Sequence, residues 1–237
     1  MASAFGSILF CSGRDEAADD LIQENNADVI DALDERFGGS GFWRDVERVN
    51  TYGYTHSMSV SANAVASLPT LYGFAAPSAP VPDFLNFTDG GQPASWASAN
   101  HVVITYSEVQ RVQLIYDLKT QNYVRFQFGA KPHVDGEDAS SLAFRNIILL
   151  IASPAEKSET ALRLTGTGSG IYITSGKSSP ITWTRESEAD AFRFAFNNGK
   201  TPVFNSGKTL ICVIPSSVSD AGGIMTDYNQ KRDGALK

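Results

Sequence analysis

The first part of the chain alternates short apolar runs with polar segments. Residues 6–11 form an apolar run of strand length, and residues 16–22 follow as a helix that begins with acidic residues. Ser12 is a candidate N-cap for this helix, because a hydroxyl can accept from the free N–H groups of the first turn. Strand, turn and helix in this order predict the start of an α/β-type layer. Residues 28–33 are ambiguous between helix and strand.

A second helix is predicted over residues 60–68, with Ser59 as its cap and Pro69 just beyond its end. The chain then becomes rich in proline, glycine and serine from residue 75 to residue 98. This composition is typical of a linker or a long surface loop, and we place a domain boundary near Gly90.

Beyond this boundary the pattern becomes that of strands. Residues 123–128 alternate, with Tyr123, Arg125 and Gln127 on one face, and residues 144–151 form a nearly continuous apolar strand. Turns are predicted at Gly176, as part of a hairpin, and at residues 198–199. The alternation also predicts three buried aromatic side chains, Trp183, Phe194 and Phe196.

These elements predict an α+β protein. Residues 1–90 form a partial α/β-type region, and residues 91–237 form a mostly antiparallel β domain. The tail from residue 216 has little apolar content, so we expect it to be peripheral.

Composition narrows the class of protein. The chain has 237 residues, of which 42% are hydrophobic and 19% charged, as in a globular domain. Its net charge of -7 disfavours a nucleic-acid partner, because an acidic protein repels phosphate backbones. No apolar run is long enough to span a membrane, and the first nine residues do not have the pattern of a signal peptide.

Few residues suggest redox, metal or cofactor chemistry. Cys11 and Cys212 lie in apolar runs of different predicted domains, so we expect two free thiols. The three histidines are far apart, which makes a histidine-based metal site improbable, and no cofactor is expected. Two weaker signals, the glycines of residues 166–170 and the turn at residues 10–14, fit neither a phosphate-binding loop nor a nucleophile elbow.

Arg44, Arg48 and His56 lie close together in sequence near a glycine-rich loop. With Ser59 they offer several N–H and hydroxyl groups, which is the chemistry that binds an anion. The alternative is structural: the arginines hold the loop in place by pairing with Asp45. Both interpretations remain open at this point.

His133 and Asp135 are two residues apart in a segment after a predicted strand, so their side chains face the same way if the segment is extended. They are candidates for an acid/base pair, or simply parts of a surface turn. Together with Arg125 they complete the predicted ligand-binding set, in which they approach the arginines across residues 75–98 to form a site at a domain interface.

The C-terminal half resembles the C-terminal domain of YerB-type lipoproteins of Gram-positive bacteria, a domain of unknown function. The resemblance is carried by residues 116–117, 123–125, 129, 133–135, 144–148, 166–172, 176–177, 181–183, 194, 198–199 and 205–209. Residues 42–45, Arg48 and residues 56–57 are similar to the N-terminal domain of that family. The family has a histidine and paired glycines at the first strand-to-helix turn, where this chain has Cys11, Ser12 and Gly13.

The resemblance implies an exported envelope protein whose signal and lipid anchor lie outside this chain, and a strand at Ile8 that needs neighbours supplied from upstream. The expected partner is an envelope ligand or protein, and the membrane is reached only through that anchor. We expect binding of an anionic or glycan ligand. Two alternatives are a cell-envelope hydrolase or transferase that uses a His/Asp/Arg site, and a structural interaction module.

Overall fold

The chain folds into two compact units. A computed structural model describes residues 2–37, 39–74, 84–88, 95–127, 131–136, 138–155 and 158–228. The first unit comprises residues 1–83 and 187–191, and the second comprises residues 84–186 and 192–237. The boundary predicted near Gly90 lies outside the described residues.

The first unit is built from short helices and strands in alternation. They are β1 (Leu9–Cys11), α1 (Glu16–Glu24), β2 (Val29–Asp31), β3 (Phe42–Arg44), α2 (Val46–Tyr52), β4 (Met58–Val60) and α3 (Ala62–Leu71), with 3-10 turns at Ala2–Phe5, Glu35–Phe37 and Tyr54–His56. β1 pairs with β2 in parallel, and β3 pairs with β4 antiparallel. The predicted order of strand, turn and helix is therefore confirmed, and the ambiguous segment is a strand. A small core of Ile30, Phe37, Ala64 and Leu68 holds the unit together.

Both predicted N-caps of this unit are wrong, by a few residues in each case. Asp15 caps α1, where its Oδ1 accepts from the Ala18 N–H at 2.8 Å. Ser61 caps α3, where its Oγ accepts from the Ala64 N–H at 3.1 Å. Ser59 lies in β4 instead. The N-cap is the residue directly before the helix, which is Asp15 for α1 and Ser61 for α3, so Ser12 and Ser59 lie too early in the chain.

Pro69 lies inside α3, whereas the sequence predicted it beyond the end of the helix. Its ring removes one backbone donor near the C-terminal end, and the helix closes two residues later. Leu68 N-terminal to it is buried, so packing holds the last turn in place.

The second unit is dominated by strands. They are β5 (Phe87–Thr88), β6 (Ala97–Ser98), β7 (His101–Thr105), β8 (Arg111–Asp117), β9 (Asn122–Gln127), β10 (Ala143–Phe144), β11 (Asn146–Ala152), β12 (Pro154–Ala155), β13 (Ser158–Leu162), β14 (Gly166–Thr174), β15 (Lys177–Arg185), β16 (Arg193–Phe196), β17 (Phe204–Asn205), β18 (Thr209–Pro215) and β19 (Ile224–Met225), with helix α4 (Ser216–Asp220).

Two larger sheets form the body of this unit. One has the strand order β10-β9-β8-β7-β19, and the other has the order β16-β15-β14-β11-β18 with β6 on β15. Most neighbours are antiparallel, as predicted, while β11 and β18 are parallel. The sheets share a core of buried residues from both, among them Val102, Leu114, Tyr123, Ile147, Leu149 and Ile173.

The predicted continuous apolar strand is β11, and it is buried on both faces. Ile147 and Leu149 pack into the core between the sheets, and the alternate residues Ile148 and Leu150 are also fully buried. A strand covered on both sides needs apolar residues at every position, which explains the lack of alternation.

The turn predictions are confirmed in part. Residues 175–176 close the hairpin of β14 and β15, and both have positive φ, as a tight hairpin turn requires. Residues 198–199 also form a turn, but the next strand, β17, pairs with β5 and not with β16. Trp183 and Phe194 are buried as predicted, and Phe196 is half-buried.

The C-terminal tail is more closely integrated than predicted. β19 adds to the edge of a sheet beside β7, and Tyr228 is buried. Residues 229–237 lie outside the described residues. No helix in the described parts of the chain is long and apolar enough to cross a membrane.

Candidate functional site

A polar pocket of about 450 Å³ opens on the second unit. Three segments form it: the β8–β9 turn, the stretch that contains β10, and the β17–β18 turn. Its lining residues are Thr120, Asn122, Ser141, Ala143, Arg145, Ser206, Gly207 and Lys208. Ala143 is the one apolar side chain in that set, so the pocket offers charge and hydrogen bonds to a ligand.

Arg145 is held in a fixed position at the pocket. Its Nη1 donates to the Gln121 carbonyl oxygen and its Nη2 to the Gln121 Oε1, each at 2.8 Å. A guanidinium group has more N–H donors than Gln121 accepts, and no described residue accepts a hydrogen bond from the buried Nε. Arg145 is therefore positioned in advance and still has donors to offer.

Lys208 supplies the second positive charge, and its side chain is exposed. Among the described residues, none that lines the pocket is a carboxylate. Asp138 interacts electrostatically with Lys208. Hydrogen bonds from Ser140 lower the pKa of Asp138, and the positive charge of Lys208 lowers it further. The described lining itself thus carries two cations and no carboxylate, on a protein whose net charge is -7.

Gly207 brings the β17–β18 turn against Arg145. Its φ is +138°, and a Cβ at this position would lie 2.8 Å from the Arg145 Cβ. The Arg145 N–H donates to the Lys208 carbonyl oxygen at 2.8 Å, which fixes the two cationic residues side by side. Only glycine allows both the backbone angle and the close approach.

A buried polar network lies next to the β17–β18 turn and supports it. The Asn146 Nδ2 donates to the Asn205 carbonyl oxygen at 2.8 Å, and its Oδ1 accepts from the Asn205 N–H at 3.1 Å. The Tyr172 hydroxyl donates to the same Oδ1, and Asn205 Nδ2 donates to Thr174 Oγ1. All four residues are at most 2% exposed, so the network forms a rigid base for residues 206–208.

The structure places Arg44, Arg48 and His56 together in the first unit. The Arg44 Nη1 donates to the Tyr54 carbonyl oxygen at 2.7 Å, and the Arg48 Nε donates to the His56 carbonyl oxygen at 3.2 Å. Both guanidinium groups also lie over tyrosine rings. The arginines thus hold the 3-10 turn through its carbonyls.

Asp45 has a different partner from the one considered in the structural alternative. It caps α2 by accepting from the Arg48 backbone N–H at 2.9 Å. Ser59 lies in β4, where it pairs with Trp43, and does not present a helix N-terminus. The prediction that Arg44, Arg48 and His56 bind an anion stays a prediction.

Arg125 and His133 are brought together in the second unit, where Arg125 Nη1 donates to His133 Nδ1. Asp135 is exposed, and its backbone pairs with Ser140. These residues and the arginines of the first unit lie in different units, so a shared site stays a prediction.

Both cysteines are free, as predicted. Burial raises the pKa of Cys212 to about 11. Burial and, to a lesser degree, the charge of Asp31 raise the pKa of Cys11. A thiol with a raised pKa is mostly protonated at neutral pH, which argues against either residue as a nucleophile.

Comparison with known proteins now connects this pocket to a family. The family model described as "Protein of unknown function (DUF3048) C-terminal domain" matches residues 102–211, a range that contains every residue of the pocket lining. A crystal structure of the YerB protein from Bacillus subtilis is similar in fold, with a TM-score of 0.76, 22% identity, and coverage of 96% of this chain and 72% of that chain. Residues 102–211 thus match a C-terminal domain of unknown function, and the chain shares the fold of the YerB protein. No curated protein matches it.

The pocket of this YerB-type domain was not predicted from sequence, although its signal was present. Two of the segments that carried the family resemblance, residues 144–148 and 205–209, contribute Arg145, Ser206, Gly207 and Lys208. They lie about sixty residues apart in sequence, and the parallel pairing of β11 with β18 brings them together. Pairing of distant strands is the information that the sequence did not contain.

Proposed function

We propose that this YerB-type protein binds an anionic ligand at the pocket of Arg145 and Lys208, without catalysing a reaction. The observation that carries the proposal is the pair of adjacent cationic side chains on a concave polar surface of an acidic protein. A pocket with low-dielectric walls and one sign of charge focuses the field and attracts ligands of opposite charge.

Binding is favoured over catalysis by the chemistry of the side chains. A hydrolase needs an activated nucleophile or an acid/base pair that reaches the ligand. Apart from Ala143, the lining side chains are cations, hydroxyls and an amide, and both thiols, which lie outside the lining, have raised pKa values. This set suits recognition of charge and of hydroxyl groups.

We also propose that the protein works outside the cytoplasm, attached to the membrane by a lipid anchor. The support for this location is the resemblance to YerB-type lipoproteins described above. An envelope ligand is the corresponding partner.

We expect the substitution Lys208→Gln to weaken binding of inorganic phosphate about tenfold, because one charge-assisted hydrogen bond contributes about 1.5–3 kcal/mol and part of this is screened at an exposed site. Binding would be measured by NMR titration at constant ionic strength.

The control is Lys200→Gln. Lys200 is also exposed, does not line the pocket, and its replacement by glutamine changes the net charge by the same amount. Equal weakening in the two variants would mean that phosphate responds only to overall charge, and the proposal would then be wrong.

A further inference from the structure

The pocket holds more hydrogen-bonding groups than an inorganic anion needs. Besides the two cations it presents the hydroxyls of Thr120, Ser141 and Ser206 and the amide of Asn122. The Thr120 Oγ1 donates its proton to Asp117 Oδ2 at 2.9 Å, so towards a ligand it is an acceptor. The neutral lining therefore includes both donors and acceptors, which is what a set of ligand hydroxyls requires.

The size and composition of the pocket narrow the chemical class of the ligand further. Its volume of about 450 Å³ falls in the range of about 300–1,000 Å³ that is usual for pockets of small organic ligands. None of the described lining residues is aromatic, so the pocket provides no surface on which a nucleobase would stack. A ligand that fills it is polar along its whole length.

The charged and neutral groups come from different segments. Arg145 and Lys208 are adjacent at the β17–β18 turn, fixed by the Arg145 N–H to Lys208 carbonyl bond of 2.8 Å. Thr120 lies in the β8–β9 turn, Asn122 is the first residue of β9, and Ser141 precedes β10. One end of the pocket thus suits a charged group of a ligand, and the remaining polar groups suit its hydroxyls.

We infer that the pocket takes a phosphorylated polyol or sugar, with its phosphate at Arg145 and Lys208 and its hydroxyls at Thr120, Asn122 and Ser141. The inference rests on the proposed function, since it names the class of the anionic ligand. Arg145 suits a phosphate, because Gln121 holds its guanidinium group in place and each Nη still has one N–H that Gln121 does not use.

The test compares the probes glucose 6-phosphate, glycerol 3-phosphate, inorganic phosphate and glucose by calorimetric titration of the whole chain. At least one phosphate ester should bind ten or more times as tightly as inorganic phosphate, and glucose alone should not saturate the protein. Lys208→Gln should weaken binding of the ester and of inorganic phosphate alike.

The substitution Ser141→Ala separates the two parts of the ligand. It should weaken binding of the ester about threefold to tenfold and leave inorganic phosphate unchanged, while Ser217→Ala, which removes an exposed hydroxyl elsewhere, should change neither. If inorganic phosphate binds as tightly as both esters, the inference is overturned and the proposed function stands. If no phosphate compound binds, or Lys208→Gln has no effect, both are overturned.

Discussion

Replacing Asn146 by alanine is expected to lower the free energy of unfolding by about 3 kcal/mol, because it removes a fully buried amide from the centre of a polar network. The amide makes four hydrogen bonds: to the Asn205 carbonyl at 2.8 Å, to Thr209 Oγ1 at 3.2 Å, from the Asn205 N–H at 3.1 Å and from the Tyr172 hydroxyl at 3.0 Å. Chemical denaturation of the unsubstituted protein and of the Asn146→Ala variant measures the difference in the free energy of unfolding.

The cost arises mainly from the partners that the substitution leaves behind. The Asn205 N–H and carbonyl are buried, and water does not replace the lost amide easily. Each such group costs about 1–3 kcal/mol when it is left without a partner. The Tyr172 hydroxyl loses less, because it also lies 3.2 Å from the Val203 carbonyl oxygen.

Asn198→Ala is the matched control, since it makes the same chemical change at an exposed turn. Asn198 Oδ1 accepts only the Lys200 N–H at 3.1 Å among the described contacts of its side chain. We expect a loss below about 1 kcal/mol. A comparable loss in the two variants would contradict the role given to the network.

Replacing Gly168 by alanine is also expected to lower the free energy of unfolding by about 3 kcal/mol. Here the reason is overcrowding, whereas Asn146→Ala removes contacts. Gly168 lies in β14 directly opposite Trp183 in β15. A Cβ at Gly168 would lie 2.3 Å from Trp183 Cζ2 and 2.4 Å from Trp183 Cε2. The indole must move, although it is only 2% exposed and donates to the Ile151 carbonyl oxygen at 3.2 Å.

Thermal unfolding with Gly136→Ala as control tests this expectation. Gly136 has nothing within 4 Å of an added Cβ and does not have positive φ, so its substitution should change stability by less than about 0.5 kcal/mol. A Gly168→Ala variant as stable as the Gly136→Ala variant would show that the ring shifts without cost.

The glycines of residues 166–170 show why some structural roles could not be predicted from the sequence. The sequence favoured a turn that leads into a strand over a phosphate-binding loop, and the predicted turn is wrong. They form the strand β14, where Gly168 faces the indole of Trp183 and Gly170 faces the Leu149 carbonyl oxygen. A glycine that makes room for a neighbouring strand depends on which strand is the neighbour, and local pattern does not specify that.

The fold class followed from local patterns, because strand length, alternation and turn residues are properties of neighbouring positions. Trp183, Phe194 and the hairpin at Gly176 were therefore predicted correctly. The predicted cap of α3 was wrong because Ser59 and Ser61 lie two residues apart and have the same local signal, and only the bounds of β4 and α3 decide between them. The pocket was not predicted because Arg145 and Lys208 become neighbours only through the pairing of β11 with β18.

The central claim is that an anion binds at the pocket of the second unit, and backbone amide NMR during a titration with inorganic phosphate at constant ionic strength tests it most directly. The account predicts that the largest chemical-shift changes occur at residues 120–122, 141–145 and 206–208. Largest changes at residues 44–59 would instead place the anion at the arginines of the first unit. That result, or uniformly small changes throughout the chain, would contradict the claim.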